Sequence, residues 1–186
     1  MADDPYARVA LLVVDVQQAF DEPSDVPRNN PACDDNIDAL VRAWSAASRP
    51  LVYVRHHSTE ATSKLRPNLP GGALKAYLTA EPNLLVTKSV NSGFHGTPDL
   101  DAWLHDNDVT GLVVCGITTN HCCETTARVG ANLGHKILFA LDATHTFDRA
   151  GPDGVTVPAD TLAQVTAANL HGEFADVVTT ASLLSP

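Results

Sequence analysis

The chemistry-bearing side chains of this chain gather where apolar runs end. Asp15 follows RVALLVV (8–14), and His56 and His57 follow LVYVR (51–55). Lys88 closes NLLVTK (83–88), Cys122 and Cys123 lie just beyond GLVVCG (111–116), and Asp142 lies within KILFALDA (136–143). A carboxylate, an ammonium and a thiol together make a kit for acyl transfer through a thioester. A thiol at a helix N-terminus is expected to have its pKa lowered by the exposed N–H groups, and a lysine beside it would lower it further. The carboxylate can take the thiol proton and return it to a departing amine, while turn amides hold the oxyanion. Each residue also has a plainer reading. A strand-end Asp often caps or turns the chain, a strand-end Lys often sits in solvent, and a Cys in an α/β core is often a small hydrophobe. Cys115, inside an apolar strand, fits the last reading, and Cys33, in a polar acidic stretch, reads as incidental. On a helix, Cys122 and Cys123 point about 100° apart, so at most one of them faces a site.

The elements that must position these residues alternate. Short valine- and leucine-rich runs read as strands buried on both faces, at 8–14, 51–55, 83–88, 111–116, 136–143 and 175–180. Helical spacing of Ile37, Leu40, Val41 and Trp44 predicts a helix over 34–47, with Asp34 or Asp35 able to cap it. Further helices are predicted over 98–107 from Pro98, over 120–133 with Gly134 as the terminating glycine, and over 158–171. A short helix is placed at 73–80, after a long loop from 56 to 71. The alternation predicts one domain over 1–186, a three-layer α/β/α sandwich with a mostly parallel six-stranded sheet. In such a sheet, ligands bind beyond the carboxyl ends of the strands, which is where the residues above fall.

Composition narrows the function classes. The 186 residues are 44% hydrophobic and 18% charged, a globular balance. The net charge of -10 shows no basic footprint for nucleic acid and disfavours an anionic membrane surface. No apolar stretch reaches the length of a membrane span, and MADDPYARVA does not read as a secretory signal. Four cysteines without a CxxC pair argue against a disulfide scaffold, a zinc ribbon and a simple redox motif, and for a cytoplasmic protein with reduced thiols. A nucleotide-binding domain would carry a glycine-rich first βα turn, whereas this one reads DVQQAFDEPSD. A non-catalytic binding module of the same fold is the other alternative, and the joint presence of Asp15, Lys88 and Cys122 speaks against it.

Three ordered blocks resemble the isochorismatase-like cysteine hydrolases. Asp15-Val16-Gln17-Gln18-Ala19-Phe20 matches D-x-Q-x-x-F after an apolar strand. Lys88 to Leu100 matches a strand-end Lys, a polar loop with Phe and Gly-Thr, and an Asp-Leu helix start. Gly116 to Arg128 matches G-(I/V)-T-T-N-x-C-V-E-x-T-A-R. The resemblance covers nearly the whole chain. It implies Cys122 as nucleophile, Asp15 as general base and acid, and Lys88 as activator of the thiolate; Cys123 falls where the family has valine. It also implies a cis peptide at Ile117–Thr118 and an oxyanion hole from the amides of Thr118 and Cys122. Phe20, His57, Asn91, Phe94, Ile117 and His121 are the substrate-binding candidates. The cysteine argues against vinyl-ether hydrolysis of isochorismate. Neither His56 nor His57 has an Asp two residues before it, which argues against a nicotinamidase-type metal site. What remains is hydrolysis of a C–N bond in a small amide, carbamoyl or lactam substrate, with no cofactor and no metal. The resemblance further implies a homodimer or homotetramer.

Overall fold

The structure is a computed structural model, and it describes residues 4–21 and 26–185. The ends of the predicted 1–186 domain, residues 1–3 and 186, lie outside the described residues. Six strands form one sheet: β1 (Val9–Val14), β2 (Leu51–His56), β3 (Leu84–Lys88), β4 (Gly111–Ile117), β5 (Lys136–His145) and, after the small β6–β7 hairpin (Arg149–Ala150, Thr156–Val157), β8 (Asp176–Val178). Their order is β3-β2-β1-β4-β5-β8, and every neighbouring pair is parallel.

Side-chain alternation along β1 sorts the helices into two layers. Leu11 and Val13 face a cluster with Ile37, Leu40, Val41 and Trp44 of α1 (Cys33–Ala46) and Leu183 of α5 (Thr180–Leu184). Ala10, Leu12 and Val14 face the opposite cluster, with Leu100 and Leu104 of α2 (Leu100–Asp106), Ala127 of α3 (Glu124–Asn132) and Leu170 of α4 (Ala159–Leu170). The inner strands β1 and β4 are therefore covered on both faces, as their unbroken apolar runs require, whereas the edge strands β3 and β8 are only partly covered and Leu85 of β3 is exposed. The chain builds outward from β1 to β3 and then returns to place β4 on the other side of β1. The order reverses between β1 and β4, so the switch-point crevice lies between the segments that follow these two strands.

The structure departs from the sequence expectations at several points. No helix forms over 73–80. That stretch is pinned flat against the exit of β1: Lys75 N donates to Val16 O at 3.0 Å, Gln18 N donates to Ala73 O at 2.9 Å, and Leu74 bridges Gln17. The Lys75 ammonium is buried and pairs with Asp21 at 2.7 Å and Asp34 at 2.9 Å, contacts that outweigh local helix propensity. Asp34 is accordingly a partner for Lys75 in the first turn of α1, and the N-cap is Ala32 without a side-chain cap. Cys33 is not incidental but opens α1 inside the core. α2 begins at Leu100 rather than Pro98, capped by Asp99, whose side chain accepts from Ala102 N at 3.1 Å; Pro98 follows a cis bond to Thr97. β5 continues past Asp142 to His145, and Asp142 instead caps α5 by accepting from Thr180 N and Oγ1. Gly134 ends α3 at φ +94°, as expected.

Candidate active site

At the exit of β1 the chain turns sharply. Asp15 adopts φ +54°, in the left-handed region that Asp tolerates better than most residues. Its N–H still pairs with Val54 O at 2.9 Å, so the strand contact persists while the direction changes. Gly116, one register step away, must be glycine. Its φ is +128°, and a Cβ there would lie 2.0 Å from Val14 O. The Ile117–Thr118 peptide is cis. A π-helical turn, Thr119–Cys123, then leads into α3. The predicted helix over 120–133 thus begins as a wider turn, which carries Cys122. Two hydrogen bonds fasten this turn to β5 and the segment after it: Thr119 Oγ1 donates to Thr144 Oγ1 at 2.8 Å, and Thr146 Oγ1 donates to Asn120 Oδ1 at 2.5 Å.

Three residues from three strand ends meet at the Lys88 ammonium. Its Nζ lies 2.5 Å from Asp15 Oδ2, 3.2 Å from His56 Nδ1 and 3.5 Å from Cys122 Sγ. An ammonium has three N–H donors, and each has a partner here. Lys88 and Asp15 are 2% and 1% exposed, so this ion pair is shielded from water. Burial holds His56 below the usual imidazole range, and the Lys88 charge adds to that effect. The neutral ring is then free to accept at Nδ1. Asp15 Oδ1 is buried and has no hydrogen-bond partner among the described residues. A carboxylate oxygen of Asp15 lies within 4.8 Å of Cys122 Sγ. Cys122 Sγ also faces Asn91 Oδ1 at 3.7 Å.

The electrostatics correct one expectation. The thiol is not lowered: burial, followed by the Asp15 charge, pushes Cys122 up to about 12, although Lys88 pulls the other way. Burial also raises Asp15 above the usual carboxylate range, against the pull of Lys88. The resting thiol therefore keeps its proton at neutral pH.

Asp15, His56 and Cys122 have the donor types of a metal site. The ammonium of Lys88 occupies the cationic position among them, within 3.5 Å of all three. A second cation placed there would face it at close range, so the donor set does not suit a divalent metal.

The other predicted residues divide. Asn91 reaches the thiol, and Ile117 is fully buried next to Thr118. Phe20 stacks on Phe147 with ring centroids 6.3 Å apart, on the segment directly after Asp15. His121 is half-buried on the π-helical turn, and His57 donates its N–H to Lys88 O at 2.7 Å. The Phe94 ring is committed elsewhere: it stacks on His135 at 5.5 Å, and a Cβ on Gly130 would meet it at 2.9 Å. Cys123 is fully buried, as the adjacent-cysteine argument allowed. Sequence reasoning left two contributors unassigned. His56 pairs in register with Lys88, a consequence of two parallel strands ending together. Gln17 is fully buried; it donates to His56 O at 3.0 Å and Gly72 O at 2.9 Å and accepts from His56 N at 2.9 Å. The glutamine of D-x-Q-x-x-F was the available signal for it.

With this geometry in place, similarity to known proteins becomes informative. The isochorismatase domain model matches residues 9–182. The chain belongs to the isochorismatase family. This family member is 35% identical over 177 residues to the isochorismatase family protein YrdC of Bacillus subtilis, covering 95% of this chain and 94% of that one. It is 36% identical over 156 residues to streptothricin hydrolase of Streptomyces noursei, covering 81% of this chain but 60% of that protein. The crystal structure of an isochorismatase-family protein from Chromobacterium violaceum superposes with a TM-score of 0.91 at 37% identity, covering 98% of this chain and 94% of that one. The isochorismatase-family chain described here is an enzyme of the hydrolase class.

Proposed function

We propose that this hydrolase cleaves a C–N bond in a small amide, carbamoyl or lactam substrate through a thioester on Cys122. One observation carries the reading: a single ammonium touches the carboxylate and the thiol, and the second carboxylate oxygen has no hydrogen-bond partner among the described residues. When the substrate carbonyl arrives, Asp15 takes the thiol proton and the sulfur attacks the carbonyl carbon. Negative charge moves from Asp15 to sulfur and stays within reach of Lys88 throughout. At 3.5 Å and an effective dielectric of about 20, that attraction is about 5 kcal/mol. The tetrahedral oxyanion is held by the N–H groups of Thr118 and Cys122. Asp15 then gives its proton to the nitrogen as the C–N bond breaks, and the amine departs. Water, deprotonated by Asp15, attacks the thioester; the acid leaves, and the proton returns to sulfur. The sum is hydrolysis, with no net change in the enzyme. His56 orients Lys88, and Asn91 orients the thiol.

The names of relatives agree with this class. Streptothricin hydrolase and ureidoacrylate amidohydrolase are both hydrolases within the matched set. The test is ammonia and amine release from nicotinamide, carbamoyl amino acids, ureidoacrylate-like acids, maleamate, simple lactams, streptothricin and isochorismate. Wild type and Cys122→Ala are run side by side. Turnover of an amide that disappears in Cys122→Ala is expected. Equal turnover by the variant overturns the thioester route, and cleavage of isochorismate alone overturns the C–N assignment.

A further inference from the structure

Away from the crevice, Asp101 and His105 of α2 converge with His135, on the turn between α3 and β5. His135 Nε2 lies 2.7 Å from Asp101 Oδ1, and His105 Nδ1 lies 3.6 Å from the same oxygen. One donor atom from each residue falls within 4.8 Å of the other two. A zinc ion binds nitrogen and oxygen at about 2.1 Å, so neighbouring donors in a tetrahedral shell are about 3.4 Å apart. The two measured separations bracket that value. The third separation, between the two histidines, is within 4.8 Å, so the set needs displacements of no more than about 1.4 Å to share an ion of that size.

The chemistry of the set is equally suited. The two imidazoles are borderline donors, and with one hard carboxylate they make a set that favours zinc and its first-row neighbours over calcium or magnesium. Three protein donors leave a fourth tetrahedral position for water. His135 is held before any ion arrives. Its side chain is 7% exposed, and its ring stacks on Phe94 at 5.5 Å. His105 is 66% exposed and supplies the adaptable ligand. Its Nδ1 now bonds the Asp101 main-chain carbonyl at 2.8 Å, a contact it would exchange for the ion. Among the described residues, the ion-pairing partners of Asp101 are these two histidines, in contrast to the Lys88 ammonium that Asp15 pairs with in the crevice.

We infer that Asp101, His105 and His135 form a binding site for one divalent first-row transition ion, with Zn²⁺ as the representative ligand. The ion would tie α2 to the turn that precedes β5. Through the stack of His135 on Phe94, it would also brace the loop that carries Asn91.

The test uses the full chain, stripped by a chelator and then titrated with Zn²⁺ by calorimetry. One ion per chain is expected, with a rise in melting temperature. His105→Gln, at an exposed position, should fold normally by circular dichroism and weaken binding by about tenfold or more. Asp101→Asn should weaken it similarly, and Cys122→Ala should leave it unchanged. Co²⁺ in place of Zn²⁺ should give visible d–d bands without a thiolate charge-transfer band. Absence of binding overturns the site. Binding that survives His105→Gln unchanged also overturns it, as does binding that vanishes in Cys122→Ala or brings a thiolate band.

Discussion

Cys122 stores its proton rather than a negative charge. Burial outweighs the nearby ammonium, because Asp15 sits at the same ammonium and its own charge repels a thiolate. A lysine placed 3.5 Å from sulfur is therefore insufficient to ionise it while a carboxylate 2.5 Å away claims the same charge. The carboxylate must first accept the proton, which couples thiolate formation to the reaction itself. The consequence is measurable by alkylation. Cys122 should be the first cysteine modified by iodoacetamide, since Cys33, Cys115 and Cys123 are fully buried. Its rate should keep rising with pH beyond 9, because the fraction of thiolate still grows there for a group near 12. A rate that levels off near neutral pH would show a stored thiolate and reverse this account.

At the scale of elements, the site depends on how three strand ends are fastened to one another. Gln17 is the fastener between the exits of β1 and β2, with both ends of its amide on main-chain groups of β2 and the Gly72 turn. Gln17→Leu would bury those groups unpaired, at a cost of about 2 to 4 kcal/mol for the set. Urea denaturation should read that loss. Because His56 holds Lys88, kcat should fall more than KM rises; unchanged stability and kcat would remove Gln17 from this role. The same elements show what was legible in the sequence. Strands announced themselves because burial on both faces demands unbroken apolar runs. The junction before α3 was legible through the family resemblance, which implied the cis Ile117–Thr118 bond, while the positive φ that requires glycine at 116 emerged only from the structure. The stretch at 73–80 was misread because Ala, Leu and Lys favour a helix locally, while Lys75 is claimed by Asp21 and Asp34, the latter 41 positions away in the chain. His56 was under-read for a similar reason: its partner Lys88 becomes a neighbour only when β2 and β3 pair in register.

At the scale of the whole molecule, the sheet buries titratable groups along with the site, and this links stability to pH. His145 is the strongest case. It ends β5 beside Ile117, is fully buried between Phe20 and Phe147, and neither ring nitrogen has a hydrogen-bond partner among the described residues. Burial, with Arg28 and Lys75 adding to it and Asp34 opposing, lowers its pKa from 6.5 to about 4. Between those values the unfolded chain binds a proton that the folded chain refuses. Stability from this group is therefore complete above pH 6.5 and is lost as pH falls toward 4, by up to about 3 kcal/mol. His56, His57 and His121 are lowered as well and act in the same direction. Asp15 acts in the opposite direction, since its raised pKa lets the folded chain hold a proton to higher pH than the unfolded one. A direct comparison with His145→Phe separates the His145 share from these, because the replacement fits an aromatic setting and cannot titrate. Urea unfolding at stepped pH from 7 to 4.5 should show wild type losing stability more steeply than the variant, the two curves diverging by about 2 to 3 kcal/mol at the acid end. Parallel curves would mean that His145 takes up its proton in the folded state at its ordinary pH, with a partner for its ring that this packing does not provide.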